Sequence, residues 1–446
     1  MKFNRKHVSW VFLLVLMAAA LPSSAAHAAA PEIVDFAVPT GGITGIAQAP
    51  DGNIWYAGFA TGGAPQLGEI GPEGPISEIE ALGTPYGGLA VGWEGDVWFG
   101  GRRSLTRFNP ASGFSKVSIP PGGYPETAIA PARGGGVWFA ISRESPGPGA
   151  VVRATASGKV TEYVLPHREA GLQGMVETAD GSVWFVESFG NAVGRLSPRG
   201  EITEYPLPGE RRAEDVAADP GGGVIFTEGV AGIGRIDSTG HRTQVGPTHT
   251  FAEKVTVTAD GTVWFTLELA RHGRLGRLGP AGAFSEVQLP HLGASPVDVL
   301  AGAEGNVWFA ARYPGNCGIR CNENAEVPAE GIVGRIAPTP VAEPTDGTAT
   351  VRNGRADLTV DCAGASAGVC EGTLLLRRRG RALGSAAYAL AAGHRSRLTV
   401  AVRPRLRRNL TRRGALPVEA VAVESDGTTS KRRLVLQRPL PRRRGG

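Results

Sequence analysis

A short phrase returns along this chain at a near-constant interval: a Gly-rich turn followed by an apolar triplet of the Val-Trp-Phe kind. It reads DGNIWY, EGDVWF, GGGVWF, DGSVWF, GGGVIF, DGTVWF and EGNVWF, with its middle residue at Trp55, Trp98, Trp138, Trp184, Ile225, Trp264 and Trp308. The steps of 43, 40, 46, 41, 39 and 44 residues mean that one structural unit is being stacked, at the interval of propeller blades. A second phrase follows the first in most units, as in VGRLSPRGEITEYPLP from Val193 to Pro208, and apolar and polar residues alternate through both. Period-two alternation punctuated by Pro-x-Gly, Asp-Gly and Ser-x-Gly turns predicts four short antiparallel strands per unit. Seven copies predict an all-β, seven-bladed β-propeller over residues 31–338.

The ends of the ring are also legible. The seventh unit reaches VGRIAPTP (Val333 to Pro340) and then lacks its ITEYPLP-like strand, whereas such a strand stands alone at the other end, as EIVDFAVPTG from Glu32 to Gly41. The N-terminal strand is therefore expected to complete the last blade, closing the ring and removing an open edge.

Residues 1–30 have a basic start (Lys2, Arg5, Lys6), an apolar run from Val8 to Leu21 and the triplet Ala26-His27-Ala28. That order predicts a secretory signal peptide, and hence a secreted or cell-envelope-associated protein with no transmembrane segment in the mature chain. The four cysteines form two tight pairs, Cys317 with Cys321 and Cys362 with Cys370. Three connectivities are open, and an oxidising compartment makes the two local disulfides the expected ones.

Charge divides the chain in two. Residues 31–344 carry net −12 and residues 345–446 net +14. A Pro-rich linker at 339–347 separates the propeller from a basic domain at 348–438 and a basic tail at 439–446. Strand-like segments such as SRLTVAVRP predict that this domain is a small β-sandwich. Its tracts Arg377 to Arg379, Arg405 to Arg413 and Arg442 to Arg444 suit a polyanion, outside the cell an anionic wall polymer. No interleaved aromatics or helix motif accompany them, which argues against sequence-specific nucleic-acid binding.

The pairing of W-F with IGRI-x-x-x-G-x-ITEYPLP resembles the repeat of the virginiamycin B lyase, or streptogramin lyase, family over roughly Glu32 to Pro338. The resemblance implies a propeller that opens a cyclic depsipeptide antibiotic by elimination, with Mg2+ and a His base. Such chemistry needs a base near an acidic Cα proton and a cation near the growing enolate charge. The family's phrase x-P-H-A/G-I opens the innermost strands of the last two blades. Here the matching phrases are Phe251-Ala252-Glu253-Lys254-Val255 and Ser295-Pro296-Val297-Asp298-Val299. The resemblance thus places Glu253 where a metal-ligand His belongs, Val297 where the base belongs and Ser295 in place of an acid. Arg312 follows the last W-F, where another acid is expected.

The same position in the other blades gives Thr44, Tyr86, Glu126, Gln173 and Glu214. Tyr86, Glu126, Gln173, Glu214 and Glu253 are the candidate binding residues of a channel mouth. Glu126, Glu214 and Glu253 are the candidate ligands of a divalent cation, Mg2+ by the resemblance. His167, His249 and His291 fall in the connectors just before these positions. Two readings result: an exported propeller that binds a peptide, glycan or protein at its mouth, or a divergent metal-dependent lyase or hydrolase.

Overall fold

The computed structural model describes residues 32–438, apart from 61–62, 84, 86–87, 102, 144–146, 169–170, 210, 247, 249, 268–272, 281, 283, 291–293, 303–304, 313–330, 339–340, 364–368, 405–409, 411–413 and 425–428. Seven four-stranded antiparallel sheets form the blades of a β-propeller. The first blade runs outward through Gly45–Gln48, Ile54–Phe59, Pro65–Gly71 and Gly74–Glu80. Each innermost strand packs against the next around the axis, and that of the seventh blade, Ser295–Ala301, packs against Gly45–Gln48 of the first.

Closure follows the sequence expectation. The seventh blade takes Ser295–Ala301, Val307–Arg312 and Gly331–Ile336 from the end of the propeller, and Ile33–Val38 as its outermost strand. Ile33 pairs with Ile336 and Val38 with Gly331, and Ala337 N–H adds a bond to Glu32 O at 2.9 Å.

The paired phrases of the repeat have one physical origin. In the fourth blade Trp184 and Phe185 lie directly across from Arg195 and Gly194. A Cβ on Gly194 would meet the Phe185 ring at 2.1 Å, so only Gly lets that ring lie flat on the neighbouring strand. On the opposite face the Arg195 guanidinium stands 5.4 Å from the Trp184 ring centroid and pairs with Asp180 in the preceding turn at 2.9 Å. Gly276 under Phe265 and Arg277 over Trp264 repeat the arrangement in the sixth blade. Thus the turn Asp, the Trp-Phe pair and the Gly-Arg pair constitute one interlocking set.

Trp184 and Phe185 face opposite neighbours, as alternation along a strand requires. Phe185 packs with Ala128, Ala140 and Val151 of the third blade, and Trp184 with Val216, Val224 and Phe226 of the fifth. Each such ring, fully buried, contributes about 1.5–3 kcal/mol by removing apolar surface from water. Burial between blades accounts for the recurrence of the aromatics better than a ligand platform does.

Beyond the propeller, two layers enclose a second core. Val341–Pro344, Arg355–Ala363 and Arg395–Ala401 make one layer, and Thr429–Gln437, Ala415–Glu424, Val369–Arg378 and Arg381–Ala391 the other. Thr348–Arg352 joins them, antiparallel to Arg355–Ala363 and parallel to Thr429–Gln437. Leu358, Val360, Leu374, Leu376, Val400, Leu416, Leu434 and Leu436 share the interior. The expected Cys362–Cys370 disulfide is formed, and it links one layer to the other; Cys317 and Cys321 lie outside the described residues.

The two outer faces differ in charge. On one, Arg395 pairs with Asp361, Arg397 with Asp357, and Thr399 donates to Asp357. On the other, Glu419 lies across from both Arg377 and Arg433, and exposed Lys431 is two residues from Arg433 along the same strand.

Candidate functional site

The innermost strands surround an axial cavity of about 640 Å³. They all run from the same face, where Thr44, Gln173, Glu214 and Glu253 line the cavity, to the Gly-rich turns at the other end. The predicted residues are therefore partly assembled: Gln173, Glu214 and Glu253 share the channel. Glu126 is half-buried on the strand Gly123–Pro131 and is not among the residues lining the cavity. Tyr86, His249 and His291 lie outside the described residues, and His167 is on the strand Val160–Arg168 with its side chain undescribed.

Local irregularity sets the aim of these side chains. The pairing of the innermost strand with its neighbour shifts between Pro125 and Ile129, Leu172 and Met175, Ala252 and Val255, and Pro296 and Asp298. One extra residue at three of these steps, and two between Pro125 and Ile129, make β-bulges, which bend the strand and turn side chains that a regular strand would hide. Sequence reading took one residue per blade, but in three blades the following one reaches the cavity as well, with a bulge at that step in the sixth and seventh.

Those following residues are Asp215, Lys254 and Asp298, on three consecutive blades, and all three line the cavity. Asp215 accepts from Val255 N–H at 3.1 Å, and Asp298 accepts from Ile46 N–H at 2.9 Å, so each carboxylate reaches the next blade. Space for them comes from glycine: a Cβ on Gly174 would meet Asp215 Oδ1 at 2.4 Å, and one on Gly45 would meet Asp298 Oδ2 at 3.4 Å. The signal was present in the repeat, where this position reads Gly45, Gly87, Thr127 and Gly174 before changing to Asp, Lys and Asp.

Burial raises the Asp298 carboxyl to about 6, against the opposing pull of the Lys254 ammonium. Burial likewise raises Asp215, with Lys254 and the Val255 and Val216 amides opposing. The charge of Asp215 is the largest influence on Lys254 and raises its pKa, helped by Asp298, Glu253 and Glu214. Arg312 donates to Ile43 O at 2.7 Å; burial lowers its pKa, and the nearby charge of Glu253 works against that.

Mg2+ does not fit this donor set. Among the described residues no three His, Cys, Asp or Glu side chains group closely enough to hold a metal ion. The acids of the channel already answer to two fixed cations, Lys254 and Arg312, which would repel a third. Val297, half-buried, packs against a cluster of Ile43, Ile46, Trp308, Ala310 and Val333.

Comparison with known proteins agrees with this architecture. The sequence model of the virginiamycin B lyase family matches residues 24–246. A virginiamycin B lyase of Nocardia farcinica is 30% identical over 246 residues, covering 52% of this chain and 80% of that protein. One from Bordetella pertussis is 46% identical over 50 residues, 11% of this chain and 17% of its own. Among solved structures, a streptogramin B lyase superposes with a TM-score of 0.56 at 24% identity, over 68% of this chain and 97% of that one. A catalytically inactive virginiamycin B lyase variant from Staphylococcus aureus, solved with quinupristin, superposes with a TM-score of 0.56 at 22% identity, over 68% and 99%. At these identities the solved structures speak to the fold alone.

Proposed function

The chain belongs to the virginiamycin B lyase family, and we propose that it is an exported member that binds a ligand or protein at the cell envelope through its channel mouth. The observation that carries this reading is the packing of Val297 against apolar side chains at the position where the family resemblance expects the base. A side chain with no lone pair cannot take the Cα proton, and elimination requires that step. Arg312, tied to Ile43 O, and Lys254 support the same reading, because they put fixed cations beside the acids a metal would need.

Four acids, Glu214, Asp215, Glu253 and Asp298, against Lys254 and Arg312 leave the described mouth with an excess of negative charge, favouring a cationic ligand group. The segment 1–30 as an export signal and the Cys362–Cys370 disulfide support an extracytoplasmic location. The face carrying Arg377, Lys431 and Arg433 would hold the protein to an anionic wall polymer. Glu214 and Glu253 sharing one channel is the observation behind a second reading, a divergent metal-dependent lyase or hydrolase.

Calorimetric titration with Mg2+, Mn2+ and Ca2+, beside quinupristin ring opening and partner capture with and without chelator, separates the two. The recognition reading expects no stoichiometric metal binding, no ring opening and capture that survives chelation. Stoichiometric binding that disappears in an E126A/E214A/E253A variant, together with turnover, would replace it with the enzyme.

A further inference from the structure

The far end of the channel differs from the mouth and is used by neither reading. There the turns after the innermost strands each carry one residue at the same place in the repeat. Among the described residues these are Pro50, Trp93, Arg133, Ala179, Pro220 and Ala259. Four are small or cyclic, and the two large ones, Trp93 and Arg133, stand on adjacent blades and both line the axial cavity.

Trp93 is 61% exposed, whereas the repeat tryptophans Trp55, Trp98, Trp184, Trp264 and Trp308 are buried in the blades. It belongs to no blade core, and an indole left in water forfeits the largest apolar contribution any side chain offers. Its loop is nevertheless fixed. Glu94, the next residue, accepts Gly136 N–H at 3.1 and 3.3 Å and so ties the Trp93 turn to the Arg133 turn. Arg133 N–H donates to Glu177 Oε2 at 2.8 Å, and Arg133 O accepts from Arg153 at 2.9 Å. Glu177 is held in turn by Trp138 Nε1 at 2.9 Å. The backbone around the exposed Arg133 side chain is thus anchored on both sides, which lowers the ordering cost of binding there.

We propose that Trp93 and Arg133 form a second binding site, at the end of the channel opposite the mouth, that takes a β-linked pyranose ring of a glycan. The flat C–H face of such a ring stacks on an indole, and a guanidinium donates in parallel to neighbouring hydroxyls. Glu94 and Glu177 balance the charges of Arg133 and Arg153, so the rim has no surplus for an anion and selects a neutral sugar. The site rests on residues that the mouth reading does not use, and either can fail without the other.

The repeat tryptophans are buried except the half-buried Trp138, so the part of the fluorescence response that W93A removes reports on Trp93. The experiment titrates the full chain with cello- and chito-oligosaccharides, and with an oligogalacturonate as the anionic control. The neutral β-linked oligosaccharides are expected to blue-shift the emission with saturation, and the uronate to bind at least fivefold more weakly. W93A should abolish the response and R133A weaken it about tenfold, both with unchanged thermal unfolding since the two side chains are exposed. No saturable shift with either neutral oligosaccharide, or binding by calorimetry that survives W93A, would overturn the proposal. So would a preference for the uronate, which would mark an anion site instead.

Discussion

The Asp298 carboxylate accepts the backbone N–H of Ile46 at 2.9 Å across 252 positions of sequence, joining the last blade to the first on the inner side of the ring. Arg312 crosses the same seam to Ile43 O at 2.7 Å. The seam is therefore clamped at the channel as well as by the N-terminal strand outside. Replacing Asp298 with Ala leaves the Ile46 amide without this partner, and a lost bond to a charged group costs about 1–3 kcal/mol. Urea unfolding should show that loss; an unchanged midpoint would mean that channel water satisfies the amide equally well.

Glu187 and Glu228 hold the same place in the fourth and fifth blades, and both are 0% exposed. Glu228 pairs with Arg211 and Arg242, whereas among the described residues neither Glu187 oxygen has a hydrogen-bond donor. Burial, then the charge of Glu204, raises Glu187 from its ordinary 4.5 to about 7. Between these values the folded chain keeps a proton that the unfolded chain releases, so the stability this residue gives is present below 4.5 and lost as pH rises through 7. E187Q should match the parent near pH 4.5 and exceed it above pH 7, by on the order of 2–3 kcal/mol. Denaturant melts at the two pH values test this, and parallel pH profiles for parent and variant would refute it.

Lys254 lies electrostatically between Asp215 and Asp298. K254M should lower the melting temperature and raise the Asp298 carboxyl further, since the opposing ammonium is gone. Adding D298N to K254M should recover part of the loss, with a coupling energy of about 0.5–3 kcal/mol. Strict additivity in the double-mutant cycle would show that the two groups do not interact.

The Cys362–Cys370 disulfide closes a loop with a sequence separation of 8 between the two layers of the basic domain. A loop of this size restricts the unfolded chain by about 2–3 kcal/mol. The C362A/C370A double variant should therefore unfold its C-terminal domain at lower denaturant while the propeller transition stays in place. Movement of both transitions together would mean that the two domains unfold as one unit.

The seven blades and their closure could be read from sequence because the packing unit is local. A ring needs a Gly beneath it, as Phe185 needs Gly194, and a Trp face attracts the Arg across from it, as Trp184 does Arg195. The Gly recurs in five blades and the Arg in six, with Thr106, Val152 and Glu69 as the exceptions, and that recurrence leaves a period. The channel was read less fully. Glu214 and Glu253 could be placed by counting back from the middle residue of the phrase, but Lys254 and Asp298 lie at bulges, which no alternation pattern announces. Glu126 counts to the same position, yet the bulge between Pro125 and Ile129 leaves it outside the cavity lining. Trp93 went unnoticed because a single departure from a repeated turn has no period to reveal it.

Supplying the outer edge of the seventh blade from Ile33–Val38 also fixes an order of events in time. Its partner Gly331–Ile336 is made roughly 290 residues later, which at ordinary synthesis speeds is about 15–60 s. Throughout that interval the earliest strand has no mate in the chain, while blades one to six each contain everything they pair with. The last blade to mature is thus the one that holds the first residues described, and a chain interrupted before Gly331 is left with an unfinished seventh blade and a spare strand.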